Sequence, residues 1–180
     1  MRGFTLIELI ICIAIMGIIL GVGIPSFKNT LETHHTRTSL LTLKRALERG
    51  RLIALSNTQE TIVCPLKNNE CVGDWSQPLA VFQDNNKDYK FDTTDILHLK
   101  YSNEIRQGYW QKKRVNANYI KFTPEGFAFG SATTFLYCLN SGNNTKAKQL
   151  IINFQGRVRL KDYLSSKGTP FSSLTPLSCR

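Results

Sequence analysis

The sequence predicts an α+β fold: a long N-terminal helix, its first half apolar enough for a membrane, packed on an antiparallel β-sheet head. Three observations carry this. The run from Phe4 to Ile24 is apolar almost throughout. Ser26 to Ser56 follows with few helix breakers and with leucines at near-helical spacing. From Glu60 onward, short β-type runs alternate with clusters of Asn, Asp, Gly and Pro. At 180 residues there is room for one domain plus an appendage. With 42% hydrophobic and 20% charged residues, the composition is that of a folded chain rather than a disordered one.

As a helix, the first stretch would measure about 32 Å, enough for a bilayer core. A cleavable secretory signal would place small residues at A-x-A spacing after the apolar run, and Gly21-Val22-Gly23-Ile24-Pro25 matches that poorly. Pro25 is expected to bend or locally melt the helix. Beyond it, Leu40, Leu43, Leu47 and Ala54 form an apolar stripe, with Arg37, Lys44, Arg45, Glu48, Arg49 and Arg51 mostly between them. That is an amphipathic helix laid on a core, its basic residues read as a solvated face. Strands are expected at Thr61 to Cys64, Leu79 to Phe82, Ile96 to Tyr101, Tyr119 to Thr123, Thr134 to Leu139 and Gln149 to Phe154.

Glu8 is the anomaly in the apolar stretch. A carboxylate in hydrocarbon costs at least ~2.5 kcal/mol and is functional by default. A cut between Gly3 and Phe4 would create an amine about one helical turn from Glu8, on the same helix or on a neighbour. Such a pair would neutralise both charges and set the register of an assembly. Gly3-Phe4-Thr5-Leu6-Ile7-Glu8-Leu9 is similar to the class III signal of type IV pilins and pseudopilins. The resemblance implies cleavage after Gly3 by prepilin peptidase, methylation of Phe4, and docking of other major and minor pilins aided by Glu8. It implies a type IV pilin fold in which residues 1–3 are a leader, 4–24 a transmembrane and polymerisation helix, 25–57 its amphipathic continuation and 58–180 a β-rich head. The location implied is single-pass in the inner membrane with a periplasmic head, reaching the cell surface in an assembled pilus.

The formal charge of +10 is unevenly placed. Pro25 to Glu104 holds 10 basic and 10 acidic residues, whereas Ile105 to Arg180 holds 12 basic and only 2 acidic, Glu125 and Asp162. The surplus on the C-terminal part suits a polyanionic partner such as nucleic acid or an acidic lipid or glycan surface. Of five cysteines, Cys12 lies in the apolar run and four lie in the head. There is no CxxC and no His at zinc-finger spacing, so a metal site is not expected. An even set beyond a membrane segment suits an oxidising compartment. Three pairings are possible; the preferred one joins Cys64 to Cys71 across a short loop and Cys138 to Cys179, which staples the C-terminal tail to the body.

Phe122-Thr123-Pro124-Glu125-Gly126, Thr134-Phe135-Leu136-Tyr137-Cys138 and Ile151-Ile152-Asn153-Phe154-Gln155-Gly156-Arg157-Val158-Arg159 together resemble the GspH/FimT domain of minor pilins. Independently, Gly156 permits a turn, and Arg157, Arg159 and Lys161 on an extended segment point to one face. Lys146, Lys148, Lys167 and Arg180 are near enough in sequence to extend that patch. In FimT proteins the Gly-Arg-x-Arg element is implicated in DNA uptake, so the resemblance implies sequence-independent, salt-dependent contacts to double-stranded DNA. Three functions fit: a DNA-binding minor pilin of natural transformation, a structural subunit (FimU-like, or a GspH-like pseudopilin of type II secretion), or an adhesin head for acidic surface polymers. Tyr109-Trp110-Gln111-Lys112-Lys113-Arg114 could stack on bases but reads as a strand or loop with half-buried aromatics. Asp84 to Asp95 imitates a calcium loop, but Tyr89 stands where Gly is needed and Asp95 where a bidentate Glu is needed, so a hairpin loop is expected. No catalytic ordering of Ser, His, Asp or Cys, no phosphate loop and no cofactor motif occurs, so no enzyme is expected.

Overall fold

The structure is a computed structural model. It describes residues 5–102, 108–113, 118–141, 147–162 and 179, with only the backbone described at 22–26, 28, 29 and 162. The chain divides into two compact units, Met1–His34 and His35–Arg180.

Helix α1 runs from Leu6 to Asn57. Its backbone continues through Pro25, so the expected local melting does not occur. A proline withdraws one N–H and crowds one preceding turn, and the hydrogen bonds on either side keep the helix. In the first unit the apolar side chains of Leu6, Ile7, Leu9, Ile10, Ile11, Ile13, Ile15, Met16, Ile18, Ile19 and Leu20 are all exposed. A continuous apolar surface of that kind requires lipid or a partner. Among the described residues no helix is both long and apolar enough to cross a membrane. The described side chains of the run end at Gly21, whereas the sequence run continues to Ile24.

In the second unit, α1 lies on two antiparallel sheets. The first joins β1 (Thr61–Lys67), β2 (Glu70–Cys71), β3 (Leu79–Gln83) and β4 (Ile96–Tyr101) in the order β2-β1-β3-β4, with β6 (Ile120–Phe122) also pairing to β1. The second joins β5 (Gly108–Lys113), β7 (Thr133–Leu139), β8 (Lys148–Ile152) and β9 (Val158–Asp162) in the order β5-β7-β8-β9. Six strands fall close to the expected runs, β5 forms where a strand or loop was expected, β9 forms on the extended segment expected after Gly156, and β2 is additional.

Strand alternation explains the layering. Val63 and Val81 point inward with Leu43, Leu47 and Ala54 of the helix and with Phe135, Tyr137, Leu150 and Ile152 of the second sheet, in one core. Their neighbours Ile62 and Phe82 point to the other face, under Tyr89, Phe91 and Tyr119. Gly50 lets the helix approach β1 closely, since a Cβ there would collide with the Val63 side chain. On the far side of the second sheet, Leu136, Cys138 and Ala147 form a small cluster with Tyr109 and Cys179. Both preferred disulfides are present, Cys64–Cys71 and Cys138–Cys179, with Cα separations of 5.5 and 5.6 Å. Crossing 7 and 41 residues, they are worth roughly 2 and 4 kcal/mol in chain entropy.

Candidate functional site

The basic face is built around two close-packed turns. Gly156 has φ +75° and Gly126 φ +77°, both in the left-handed region that favours glycine. A Cβ on Gly156 would strike the Gly126 carbonyl oxygen and come within 2.9 Å of the Arg51 Nε. That Nε donates a hydrogen bond to the same carbonyl at 2.9 Å, tying the helix to the Thr123–Gly126 turn. The Asn153–Arg157 turn is closed by Gly156 N–H to the Asn153 carbonyl at 2.9 Å, Asn153 N–H to the Arg157 carbonyl at 3.1 Å, and Arg157 N–H to Asn153 Oδ1 at 2.8 Å. Arg157 thus leaves a closed turn and leads into β9 with its side chain exposed.

Along β9, Val158 and Leu160 pair with Ile152 and Leu150, which face the core, whereas Arg159 and Lys161 pair with Ile151 and Gln149. Arg159 and Lys161 therefore share the face of the sheet turned away from the core. Lys148 pairs with Tyr137 and stands in alternation with Leu150 and Ile152, so the strand puts it on the opposite face, exposed at the β8 end. Lys146, Lys167 and Arg180 lie outside the described residues.

Between α1 and β9 runs an open groove of about 500 Å³, where Glu48, Arg51, Leu52 and Leu55 face Gly156, Arg157, Val158 and Arg159. Three arginines and a single glutamate are among the residues lining it, and Glu48 is already in an ion pair with Lys44 at 3.3 Å. That balance of charge suits an anion. Sequence reasoning placed Arg51 on a solvated helix face. Its position beside Arg157 depends on a contact across 75 residues, for which no local sequence signal exists.

Other candidates are spent structurally. Trp110 is half-buried, packed edge-on against Phe135 and Tyr137, and burial lowers the ammonium pKa of neighbouring Lys112. In the β3–β4 hairpin loop, the two Asp84 oxygens accept the Lys87 and Tyr89 N–H groups at 2.7 and 3.1 Å. Asp95 accepts those of Asn85 and Asp92 at 3.0 and 3.1 Å. Burial raises the Asp84 carboxyl pKa, with those two backbone bonds opposing. The carboxylates cap their own loop, and no metal-holding group of His, Cys, Asp and Glu occurs among the described residues.

At the N-terminus Gly3 and Phe4 lie outside the described residues. Glu8 Oε2 accepts from Thr5 N–H and Thr5 Oγ1, both at 3.0 Å, and Glu8 N–H donates to Thr5 Oγ1 at 3.4 Å. This is a capping box, so within a single chain Glu8 completes the first helical turn.

A family model described as "Type II transport protein GspH" matches residues 41–156, and one described as "Prokaryotic N-terminal methylation motif" matches residues 1–24. The pilin-like protein PilA1 of Thermus thermophilus is 27% identical over 173 residues, covering 89% of this chain and 98% of that one. The fold is similar to that of the type IV minor pilin FimU of Pseudomonas aeruginosa (strain PAO1). One crystal form gives a TM-score of 0.56 at 20% identity over 72% of this chain and 90% of FimU. A second gives 0.54 at 19% over 69% and 91%. Matched over more than half its length and headed by the methylation motif, the chain belongs to the GspH family and is a type IV pilin-like subunit, a minor pilin or pseudopilin.

Proposed function

We propose that this subunit binds double-stranded DNA without sequence preference, through the face carrying Arg157, Arg159 and Lys161, as a minor pilin in DNA uptake. The observation that supports this most is the alternation along β9. It holds Arg159 and Lys161 on one outward face, with Arg157 at its foot and Arg51 across the groove. Guanidiniums suit phosphate oxygens by their forked donors, and fixed spacing along a strand suits a backbone rather than a base edge. The surplus of 12 basic over 2 acidic residues after Glu104 adds attraction over the whole C-terminal part. Phe4 to Ile24 anchors the chain in the inner membrane, prepilin peptidase cuts after Gly3, Phe4 is methylated, and Glu8 meets the new amine of a neighbouring pilin on assembly.

The test is a gel shift with a fragment beginning at Asn29, which retains the whole 35–180 unit. Sequence-indifferent binding of about micromolar strength at low salt is expected, weakening steeply with salt. It should be largely lost in Arg157→Gln/Arg159→Gln. Equal binding by the double variant refutes the face. No binding at low salt leaves the structural role, FimU-like or GspH-like, and binding to heparin but not DNA leaves the adhesin role.

A further inference from the structure

We propose that the phenylalanine cluster beside the arginine turn is a stacking platform for unpaired nucleobases, so that this face holds single-stranded DNA more tightly than duplex. The proposal rests on DNA being the ligand of the arginine face. Phe127, Phe129 and Phe154 form a closed trio, with ring centroids 5.2, 5.8 and 4.8 Å apart. Phe129 is 49% exposed and Phe154 51% exposed, whereas Trp75, Phe135 and Tyr137 fill the core. The trio is held by backbone: Ala128 N–H donates to the Phe154 carbonyl at 2.9 Å, and Thr123 N–H to the Phe127 carbonyl at 2.9 Å. Rings fixed in this way lose little entropy when something stacks on them.

The cationic surroundings select the occupant. Phe154 and Arg157 belong to one closed turn, so a base on the ring brings its own phosphate toward the guanidinium. Arg51 is bonded to Gly126, the residue before Phe127. A polymer that alternates flat apolar faces with anionic links fits rings bordered by arginines, and a single strand is such a polymer. A duplex hides its base faces and offers only phosphates to the arginines. An apolar pilin surface would cover the rings but give the guanidiniums no anion.

The experiment uses the full chain in detergent micelles and fluorescence anisotropy. The probes are a labelled oligothymidylate and the duplex it forms with oligoadenylate. Phe129→Leu/Phe154→Leu keeps apolar bulk but removes the π faces, and Phe154→Tyr keeps a face. Tighter binding of the single strand by the parent chain is expected, with about a tenfold loss in the double leucine variant, little change in the tyrosine variant and unchanged duplex binding. Equal affinity for both probes, or full single-strand binding by the leucine variant, overturns the platform while leaving the arginine face intact. So does a leucine variant that binds DNA normally but fails to assemble with partner pilins. Failure of the parent chain to bind either probe removes the DNA reading itself, and the platform with it.

Discussion

At the scale of single residues, the site depends on two glycines that no other residue replaces without strain. Gly156 faces Gly126 across a contact in which both have positive φ and Arg51 bonds the intervening carbonyl. Gly156→Ala puts a methyl group against that carbonyl, which should cost about 2 kcal/mol and displace Arg157 from its turn. A lowered urea midpoint together with weakened DNA binding is the expected result; an unchanged midpoint would show that the turn tolerates a side chain. Gly156 and the arginines were legible in the sequence as a turn followed by an alternating strand. Arg51, Leu52 and Leu55 were not, because their part follows from packing between segments far apart in the chain. Phe127 and Phe129 were invisible for the same reason, since they matter only through their contact with Phe154.

Among the elements, α1 was the most readable, because apolar length and amphipathic spacing are local properties. Leu40, Leu43, Leu47 and Ala54 are all buried as their spacing implies. What spacing does not tell is how closely the helix lies on β1, a distance set by Gly50. Gly50→Ala would improve helix propensity yet collide with Val63, and a net loss of about 1–3 kcal/mol is expected from thermal unfolding of the 35–180 unit. A gain in stability would mean that the sheet yields to the helix. β2 was missed in the sequence and β5 was left open between strand and loop, each for a plain cause. β2 is two residues long and sits inside the Cys64–Cys71 loop. β5 is rich in Gln and Lys rather than β-branched residues, and its pairing with β7 comes from tertiary contact. β9 forms the far end of its sheet from β5, where Arg159 and Lys161 also discourage strand addition by other molecules. Glutamine is the substitution of choice there because it removes charge while keeping a polar edge.

For the whole molecule, the head is closed by a staple that the cysteine count anticipated. Removing the 41-residue bridge with Cys138→Ser/Cys179→Ser should cost roughly 4 kcal/mol of stability. Reduction of the parent chain opens the Cys64–Cys71 bridge as well and should cost roughly 6 kcal/mol, both losses being read from denaturant midpoints against the oxidised parent. Coinciding midpoints would show that the bridge adds nothing to the head. The sequence also showed charge gathered in the C-terminal part, but not that the strand separates Lys148 from Arg159 and Lys161. The measurement that bears most directly on the DNA-binding face is the slope of log affinity against log salt for duplex DNA, for the parent head and for Arg157→Gln/Arg159→Gln. Two lost phosphate contacts should make the slope shallower by about 1.8. Parallel lines for the two proteins would contradict the assignment of the face.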